Sequence, residues 1–329
     1  MKDGFGRQLT YLRVSVTDRC NLRCVYCMPE RGVPLVSHED LLTFEEIERV
    51  VRVGVALGVR AVRLTGGEPL MRRGIVSLVK RLASIEGLDD LSMTTNGVLL
   101  AEYAAQLKAA GLRRVNVSLD SLDPGTFAAI TRGGDLGEVL GGIRAALSAG
   151  LAPVKVNCVP LKGLNDREIP ALVSMAGTLP IHLRFIELMP VGCDGAWFRD
   201  RFVPAAEVQS VVEEVVRRSG ARLSPSAPRP GGGPAACFEI DGYRGTIGFI
   251  PAVTGHFCGW CTRMRLTSTG GLRPCLASDT EVDVKGALRG GCDNSRLAAL
   301  LMEAARLKPW RRGMEYGASD ERRMSRIGG

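Results

Sequence analysis

Short strand patterns alternate with longer helix patterns over the first two-thirds of the chain. The strand patterns, in which apolar and polar residues alternate, are Leu12–Val16, Ala61–Thr65, Leu91–Thr95, Val115–Leu119, Val154–Val159 and Ile181–Leu188. The helix patterns, with apolar residues three or four positions apart, are Phe44–Leu57, Ile75–Ile85, Ala101–Ala110, Leu136–Ala149 and Arg167–Ala176. The first helix opens with the capping box Thr43-x-x-Glu46. Such a series predicts an α/β fold with a parallel sheet inside outer helices. Six units rather than eight predict an incomplete (β/α)6 TIM-like barrel.

The C-terminal third follows a different pattern. Ser224–Pro234 is rich in Pro and Gly, which is typical of a linker. Short strand patterns and one helix pattern come after it, at Cys237–Ile240, Gly245–Ile250, Met264–Thr267 and Ser295–Leu307. We therefore expect two parts, a barrel core over residues 5–222 and an α+β segment over residues 223–329 that closes the barrel mouth.

The polar residues of the predicted strands share one face. Outer helices need an apolar face to pack against, so the polar face should point into the barrel. Arg13, Arg63 and Lys155 would then point inward. Because an unpaired buried charge is costly, the interior should be an open polar cavity for an anionic ligand. The alternative is that these cations pair with Asp120 and other acids.

Composition narrows the class of protein. The chain has 329 residues, 45% hydrophobic and 24% charged, which is ordinary for a globular protein and excludes disordered, collagen-like and small disulfide-rich chains. No apolar run of about 18 residues and no signal-peptide pattern is present, so we expect the cytoplasm and no membrane partner. The net charge of +8 leaves nucleic acid, nucleotide and acidic metabolite open as partners.

Six of the ten cysteines fall into two tight groups, Cys20, Cys24 and Cys27 and then Cys258, Cys261 and Cys275. The other four default to small apolar residues, namely Cys158, Cys193, Cys237 and Cys292. Three thiolates on one loop can hold three irons of a [4Fe–4S] cluster and leave the fourth iron open. A redox pair or half a zinc site fits the first spacing poorly. For the second group, with His256 beside it, zinc is an equal alternative on spacing alone.

The first group lies in a string that resembles the signature of radical S-adenosylmethionine (SAM) enzymes, Cys20-Asn-Leu-Arg-Cys24-Val-Tyr26-Cys27. Thr65-Gly66-Gly67-Glu68-Pro69 resembles the motif with which that family binds the methionine amino group. The resemblance implies that the open iron chelates SAM and that Tyr26 contacts its adenine. It places further SAM contacts at Gly67, Glu68, Ser118 and Met189.

The second group lies in Phe257-Cys258-Gly-Trp-Cys261-Thr-Arg263-Met264-Arg265, followed by Gly271-Leu-Arg-Pro-Cys275. With the first group, this pattern resembles the GTP 3′,8-cyclase family of radical SAM enzymes over essentially the whole chain. The family carries a second [4Fe–4S] cluster on the C-terminal cysteines. The resemblance places GTP contacts at Arg13, Arg63, Thr94, Lys155, Arg263, Met264 and Arg265. It also brings the terminal Gly328 and Gly329 to the active site as catalytic residues, together with Arg13, which would stabilise or quench the purine radical.

The resemblance implies the first step of molybdenum cofactor biosynthesis. A 5′-deoxyadenosyl radical takes the 3′ hydrogen of GTP, and C3′ then adds to C8 to form (8S)-3′,8-cyclo-7,8-dihydroguanosine 5′-triphosphate. It implies a flavodoxin- or ferredoxin-like electron donor, a homodimer, and cyclic pyranopterin monophosphate synthase as the next enzyme. One alternative is another radical SAM enzyme with an auxiliary cluster, such as one that modifies a peptide. The other is a zinc-containing nucleic-acid-binding protein, which leaves the first cysteine group unexplained and has few aromatic residues for base stacking, 5%. We therefore expect no nucleic-acid partner.

Overall fold

Twelve strands form one sheet in the computed structural model, which describes residues 1–191, 195–226 and 233–311. The strands are β1 (Tyr11–Ser15), β2 (Ala61–Thr65), β3 (Asp90–Thr95), β4 (Arg114–Ser118), β5 (Val154–Cys158), β6 (Ile181–Ile186), β7 (Leu223–Pro225), β8 (Ala236–Ile240), β9 (Thr246–Ile250), β10 (Arg263–Leu266), β11 (Gly271–Arg273) and β12 (Val282–Asp283). Their order across the sheet is β12-β11-β10-β1-β2-β3-β4-β5-β6-β9-β8-β7.

Ten α-helices accompany the sheet in the described ranges. They are α1 (Phe44–Ala56), α2 (Ile75–Ala83), α3 (Leu100–Ala109), α4 (Pro124–Thr131), α5 (Leu136–Ser148), α6 (Ile169–Thr178), α7 (Gly195–Arg201), α8 (Ala205–Arg218), α9 (Lys285–Arg289) and α10 (Asn294–Arg306). The capping box of α1 is confirmed, because Glu46 N donates to Thr43 Oγ1 at 3.1 Å and Thr43 N donates to Glu46 Oε2 at 2.7 Å. Within the same ranges, none of the helices has the length and apolar character that crossing a membrane requires.

The centre of the sheet is parallel. Strands β1 to β6 lie side by side in chain order, and each pairs parallel with the next. Strand β10 joins β1 in parallel on one side, and β9 joins β6 in parallel on the other. The predicted α/β fold is thereby confirmed as a partial TIM-like barrel. Because the strands after residue 222 extend both edges of the same sheet, the division of the chain between residues 222 and 223 stays a prediction.

The apolar faces of the strands pack against the helices. Val14, Leu64 and Val117 of the sheet are fully buried in one cluster with Ile47 of α1 and Ile143 of α5. Burying this face against the helices leaves the polar face of the same strands directed inward. The predicted orientation of the two faces is confirmed.

Four helices, α4, α7, α8 and α9, lie where the pattern analysis predicted none, and the two longest of them are α4 and α8. The first begins at Pro124, and its N-cap Asp123 accepts a 2.7 Å hydrogen bond from Thr126 N. The second buries residues three or four positions apart, Ala205, Val208, Val212 and Val216. That spacing is the ordinary helical one, so the signal for α8 was present in the sequence.

Candidate active site

The N-terminal cysteines lie in the loop after β1, at the carboxyl end of that strand. The sulfur of Cys20 accepts hydrogen bonds from the backbone N–H of Leu22 at 3.5 Å and from Asn96 Nδ2 at 3.8 Å. The loop turns between the other two cysteines, since Cys27 N donates to the carbonyl oxygen of Cys24 at 2.9 Å. Such N–H donors to sulfur also help to set the reduction potential of an iron–sulfur cluster.

The three thiols of this loop are half-buried and free of disulfides. Burial raises the pKa of Cys24 well above its ordinary value, and the charges of Cys27, Asp120 and Cys20 raise it further. A metal ion removes that cost, because it neutralises the thiolates that it binds. The described residues hold no group of three His, Cys, Asp or Glu side chains arranged for a single ion, whereas a four-iron cube takes its three thiolates on three different irons. The donor set fits a [4Fe–4S] cluster.

The glycine-rich segment after β2 touches the cysteine loop directly. Gly67 N donates to the carbonyl oxygen of Thr17 at 2.8 Å, and Glu68 N donates to that of Arg19 at 2.7 Å. A Cβ atom at Gly67 would lie 2.2 Å from the Arg19 carbonyl oxygen and 2.8 Å from that of Asp18. Glycine is therefore required at position 67 for this close approach of two backbones.

The carboxylate of Glu68 ties the end of β2 to the end of β3. It accepts hydrogen bonds from Leu70 N at 3.0 Å, Thr95 Oγ1 at 2.8 Å and Asn96 N at 2.6 Å. The side chain is fully buried, and burial raises the pKa of Glu68 to about 7 although these hydrogen bonds lower it. A cationic group beside Glu68 would favour its charged form.

Tyr26 connects the cysteine loop to the segment after β4. Its hydroxyl donates a 2.6 Å hydrogen bond to Asp120 Oδ2, and Val159 N donates a 2.8 Å bond to Asp120 Oδ1. Asp120 is 4% exposed, and burial raises its pKa to about 6. The carboxylate of Asp120 is therefore paired with these two groups, and the alternative in which it neutralises the inward cations is wrong.

One row of neighbouring positions across five strands carries four arginines. The strand register sets in line Arg265, Arg13, Arg63, Ser92 and Arg114. Burial lowers the pKa of Arg13 well below its ordinary value, and the charges of Arg265 and Arg63 lower it further. Because guanidinium groups stay protonated in proteins, the row keeps its positive charge and its members repel one another. A bound polyanion would relieve that repulsion.

Lys155 of β5 and Arg184 of β6 extend the positive charge. Lys155 is 2% exposed, and burial lowers its pKa to about 6, with Arg184, Arg114 and Arg63 lowering it further. Burial also lowers the pKa of Arg184 to about 10. Within this row Arg114 pairs with an acid, since its Nε donates a 2.9 Å hydrogen bond to Asp90 Oδ1.

Four neutral side chains of the inward face each bury a polar atom that has no hydrogen-bond partner among the described residues. These atoms are Tyr11 Oη, Thr94 Oγ1, Asn116 Oδ1 and Asn157 Oδ1. Buried polar atoms in proteins are almost always paired with protein, water or a ligand. Together with the cations, they make the interior suited to a polar, anionic ligand.

The C-terminal cysteines lie at the other end of the parallel strands. Cys258 and Cys261 come just before β10, which is parallel to β1, and Cys275 follows β11, which is antiparallel to β10. All three positions therefore lie at the amino ends of the parallel strands, whereas the N-terminal set lies at the carboxyl ends. The row of cations lies between the two sets.

A buried lysine joins the two segments that carry the C-terminal cysteines. Lys308 is 3% exposed, and its ammonium donates 2.7 Å hydrogen bonds to the carbonyl oxygens of Arg263 and Pro274. Burial acts to raise the pKa of Cys261, but the charges of Lys308 and Arg263 outweigh it and lower that pKa. The three free thiols, with a buried cation beside Cys261, fit a second iron–sulfur cluster.

The remaining predicted residues divide between the interior and the core. Ser118 ends β4, and Met189 follows β6, so both lie near the N-terminal set. Arg263 lies over the ring of Phe257 at 5.0 Å from its centroid. Met264 does not join Arg263 and Arg265 on the inward face, because its side chain is 2% exposed and packs in the hydrophobic core. Only the backbone of Met264 can therefore contact a ligand in the interior. Gly328, Gly329 and Cys193 lie outside the described residues.

Arg184, Arg114 and Lys308 were missed by the sequence reasoning. Arg184 had a usable signal, since alternation along β6 puts it on the same face as His182. His182 is the position of β6 that pairs with the inward residue Lys155 of β5. Arg114 is the first residue of β4, just before the predicted strand begins. Lys308 had no local signal, because its partners lie 45 and 34 positions away in the chain.

Family models match most of the chain. The model described as the radical SAM superfamily matches residues 14–176, and the model described as Molybdenum Cofactor Synthesis C matches residues 181–314. The chain is 50% identical to the GTP 3′,8-cyclase of Pelotomaculum thermopropionicum over 332 residues, which covers 100% of both chains. It is 49% identical to the GTP 3′,8-cyclase of Moorella thermoacetica over 329 residues, again with 100% of both chains covered.

Solved structures with low sequence identity share the fold. SuiB of Streptococcus suis, bound to S-adenosylmethionine, matches with a TM-score of 0.58 and 17% identity over 90% of this chain and 68% of that one. The structure described as native anSMEcpe with bound AdoMet matches with a TM-score of 0.56 and 14% identity over 83% and 77% of the two chains. These likenesses agree with the partial barrel.

Proposed function

The chain belongs to the GTP 3′,8-cyclase family of radical SAM enzymes, and we propose that GTP binds in the barrel interior between its two cysteine sets. It is an enzyme that cyclises GTP to (8S)-3′,8-cyclo-7,8-dihydroguanosine 5′-triphosphate, the first step of molybdenum cofactor biosynthesis. It uses SAM and iron–sulfur clusters. The observation that best supports this binding site is the row of four arginines between the two cysteine sets.

The N-terminal cysteines would hold one [4Fe–4S] cluster and the C-terminal cysteines the other. When bound, the first cluster and SAM supply the radical that removes hydrogen from GTP. The chain positions the reactants. Gly67 and Glu68 would bind the methionine amino group, while Tyr26, Ser118 and Met189 would contact the rest of SAM. All five belong to the carboxyl ends of the strands, which supports this assignment.

The inward cations would bind GTP. Arg13, Arg63 and Arg265 carry charge that suits a triphosphate, and Lys155 would become charged beside one, since Arg and Lys are the usual partners of phosphate oxygens. The unpartnered hydroxyl of Thr94 supports a contact with GTP. Our assignment extends to Arg263 and to the backbone of Met264, whose side chain faces the core. We assign a second role to Arg13, which would stabilise or quench the purine-centred radical.

Partners and surroundings of the enzyme follow from the same assignment. We propose a flavodoxin- or ferredoxin-like electron donor, a homodimer, a cytoplasmic location, and cyclic pyranopterin monophosphate synthase as the next enzyme. Within the chain, residues 5–222 would form the SAM core and residues 223–329 the segment with the second cluster. Gly328 and Gly329 would complete the active site.

Separate loss of the two cysteine sets tests the proposal. Cys24→Ala should abolish SAM cleavage, because the iron site that activates SAM loses a ligand. Cys261→Ala should retain some SAM cleavage and give no cyclic nucleotide. The measurements are 5′-deoxyadenosine and cyclic product by chromatography under strictly anaerobic conditions, with Cys292→Ala as the matched control outside both sets. Cyclisation by Cys261→Ala would show that the C-terminal set is merely structural.

Iron analysis separates this function from its two alternatives. Two clusters require about eight irons per chain, whereas a zinc protein would hold zinc with little iron. A radical SAM enzyme that modifies peptides would also carry two clusters but would not bind GTP. Tight GTP binding that Lys155→Ala weakens by about 1–3 kcal/mol therefore distinguishes the cyclase from the peptide-modifying alternative.

A further inference from the structure

A cavity of about 220 Å³ opens beside Cys20, at the carboxyl end of the barrel. Its apolar lining consists of Met28, Val33, Leu35 and Met71. Leu35 is 55% exposed and Met71 is 42% exposed. Large apolar side chains exposed together at a cavity commonly mark an interaction site. The SAM and GTP contacts proposed above do not use this cavity.

Six arginines line the cavity or belong to segments next to its lining, and we call them the arginine face. They are Arg19, Arg23, Arg31, Arg72, Arg73 and Arg132. Arg19 and Arg23 line the cavity, Arg132 donates to the carbonyl oxygen of the lining Met28 at 2.8 Å, and the others lie within two residues of a lining residue. Among the described residues, none of the six forms an ion pair with a carboxylate.

Backbone carbonyls, which are neutral, hold three of these arginines in place. Arg23 donates to the carbonyl oxygen of Cys20 at 2.5 Å, Arg72 to that of Leu42 at 2.5 Å, and Arg132 to that of its neighbour Arg23 at 3.0 Å. Such bonds fix a guanidinium without cancelling its charge. Two acids belong to the same segments: Asp18, which lines the cavity, is buried and accepts from Val36 N at 2.7 Å, and Glu30 is exposed next to Arg31. The face is thus strongly positive, with an apolar centre.

We propose that the arginine face and its apolar centre dock an acidic protein that delivers single electrons to the N-terminal cluster. This inference rests on the proposed function and names the place where the electron donor binds. Cys20 both lines the cavity and belongs to the N-terminal cysteine set, so a protein bound here comes close to the cluster. One electron leaves the donor and enters the cluster, and no bond forms or breaks.

The chemistry of the surface favours a protein over other occupants. No aromatic side chain lines the cavity, so the face offers no platform on which nucleic-acid bases could stack. A second copy of this chain has a net charge of +8, so its overall positive charge would be repelled by the arginine face. An acidic partner gains from complementary charge, which mainly speeds association and makes it depend on salt.

The test combines binding with electron transfer. The test variant is Arg31→Glu with Arg73→Glu, both exposed and outside the catalytic machinery. The control is Arg113→Glu with Arg296→Glu, an equal charge change at the amino end of the barrel and on α10. Calorimetry with oxidised flavodoxin measures binding to the anaerobic holoenzyme without reaction. Stopped-flow absorbance measures cluster reduction by fully reduced flavodoxin and, separately, by dithionite.

We expect the test variant to bind flavodoxin about tenfold or more weakly, with a reduction rate that falls by a similar factor and depends less on salt. Dithionite should reduce its cluster as fast as in the unmodified enzyme. The control pair should bind like the unmodified enzyme. Leu35→Gln should also weaken flavodoxin binding, through the apolar centre.

Three results would overturn the docking proposal. They are unchanged flavodoxin binding in the test variant, an equal loss in the control pair, and an equal loss with dithionite, which would make the arginines a support of the cluster. A changed sedimentation coefficient with normal flavodoxin kinetics would assign the face to contact between two copies of the chain. Failure of the unmodified enzyme to cyclise GTP with dithionite would instead count against the proposed function, because dithionite needs no docking site.

Discussion

Tyr26 Oη donates a 2.6 Å hydrogen bond to Asp120 Oδ2, and this bond joins the N-terminal cysteine loop to the segment after β4. Tyr26 lies between Cys24 and Cys27 in the chain. The position of the cysteine loop therefore depends on a carboxylate in the segment after β4.

Replacing Tyr26 by Phe removes this bond and keeps the aromatic ring. The buried carboxylate of Asp120 would retain Val159 N and lose its second donor, and leaving a buried acceptor short of a partner costs about 1–3 kcal/mol. We expect a lower melting temperature and weaker SAM binding, because the loop loses its attachment. Calorimetric melting and a SAM titration measure the two effects.

Tyr103→Phe is the matched control, since the hydroxyl of Tyr103 in α3 makes no hydrogen bond within the part of the chain that the structure describes. That control should melt and bind SAM like the unmodified enzyme. Equal SAM affinity in Tyr26→Phe would mean that the loop is held without Asp120.

The sequence predicted the central fold well because its signals are local. Alternation within each strand and the capping box at Thr43 and Glu46 depend on residues a few positions apart. The pairing of β10 with β1 and of β9 with β6 could not be predicted in this way. Those pairs join segments far apart in the chain, and short strands after a linker carry no signal for the edge that they extend.

The residues of the candidate site also divide into those with a local sequence signal and those placed by distant contacts. Arg13, Arg63 and Lys155 were placed inward from alternation alone, and the register then showed that Arg13 and Arg63 share a row with Arg265. Met264 shows the limit of a motif, since it lies between two inward arginines yet packs in the core. Lys308 acts through bonds to distant carbonyl groups, which no sequence pattern records.

Lys308→Met should empty the second cluster site while sparing the first. The change removes the ammonium that bonds the carbonyl oxygens of Arg263 and Pro274 and that favours the thiolate of Cys261. Iron should fall from about eight to about four per chain, with SAM cleavage retained and cyclisation lost. Iron analysis and electron paramagnetic resonance after reduction provide the measurements.

Lys285→Met serves as the control, because Lys285 pairs with Asp40 on the surface. Circular dichroism of both variants checks that the fold persists. Full iron content in Lys308→Met would show that the cysteines hold the cluster without this lysine.

Deleting Gly328 and Gly329 should separate catalysis from binding. Glycine has no side chain and adopts unusual dihedral angles, so a Gly-Gly end can enter a narrow cavity. We expect normal folding, iron content and GTP affinity in the truncated enzyme, with sharply less cyclic product. A peptide ending in Arg-Ile-Gly-Gly should restore part of the activity, and truncated enzyme working at the full rate would rule out a role for the tail.

Lys155 should make GTP binding depend on pH. Burial lowers its pKa to about 6 in the free protein, with Arg184, Arg114 and Arg63 lowering it further and Asp90 acting against them. Above pH 6 the side chain is therefore mostly neutral before the ligand arrives. A triphosphate beside it favours the charged form and raises the pKa, so binding takes up a proton.

The sign of the effect follows from that uptake. Between the pKa of about 6 in the free protein and the higher pKa in the complex, each unit of rising pH should weaken GTP binding by up to about tenfold. Calorimetry at pH 7 and 8 in two buffers of different ionisation enthalpy counts the protons taken up.

Lys155→Met should weaken GTP binding by about 1–3 kcal/mol at pH 6 and take up about one proton fewer at pH 7. Titration of the γ-phosphate itself is common to both proteins and cancels in this comparison. SAM affinity should be the same in both. If the variant takes up as many protons as the unmodified enzyme, the proton goes to another group, and Lys155 does not contact the triphosphate.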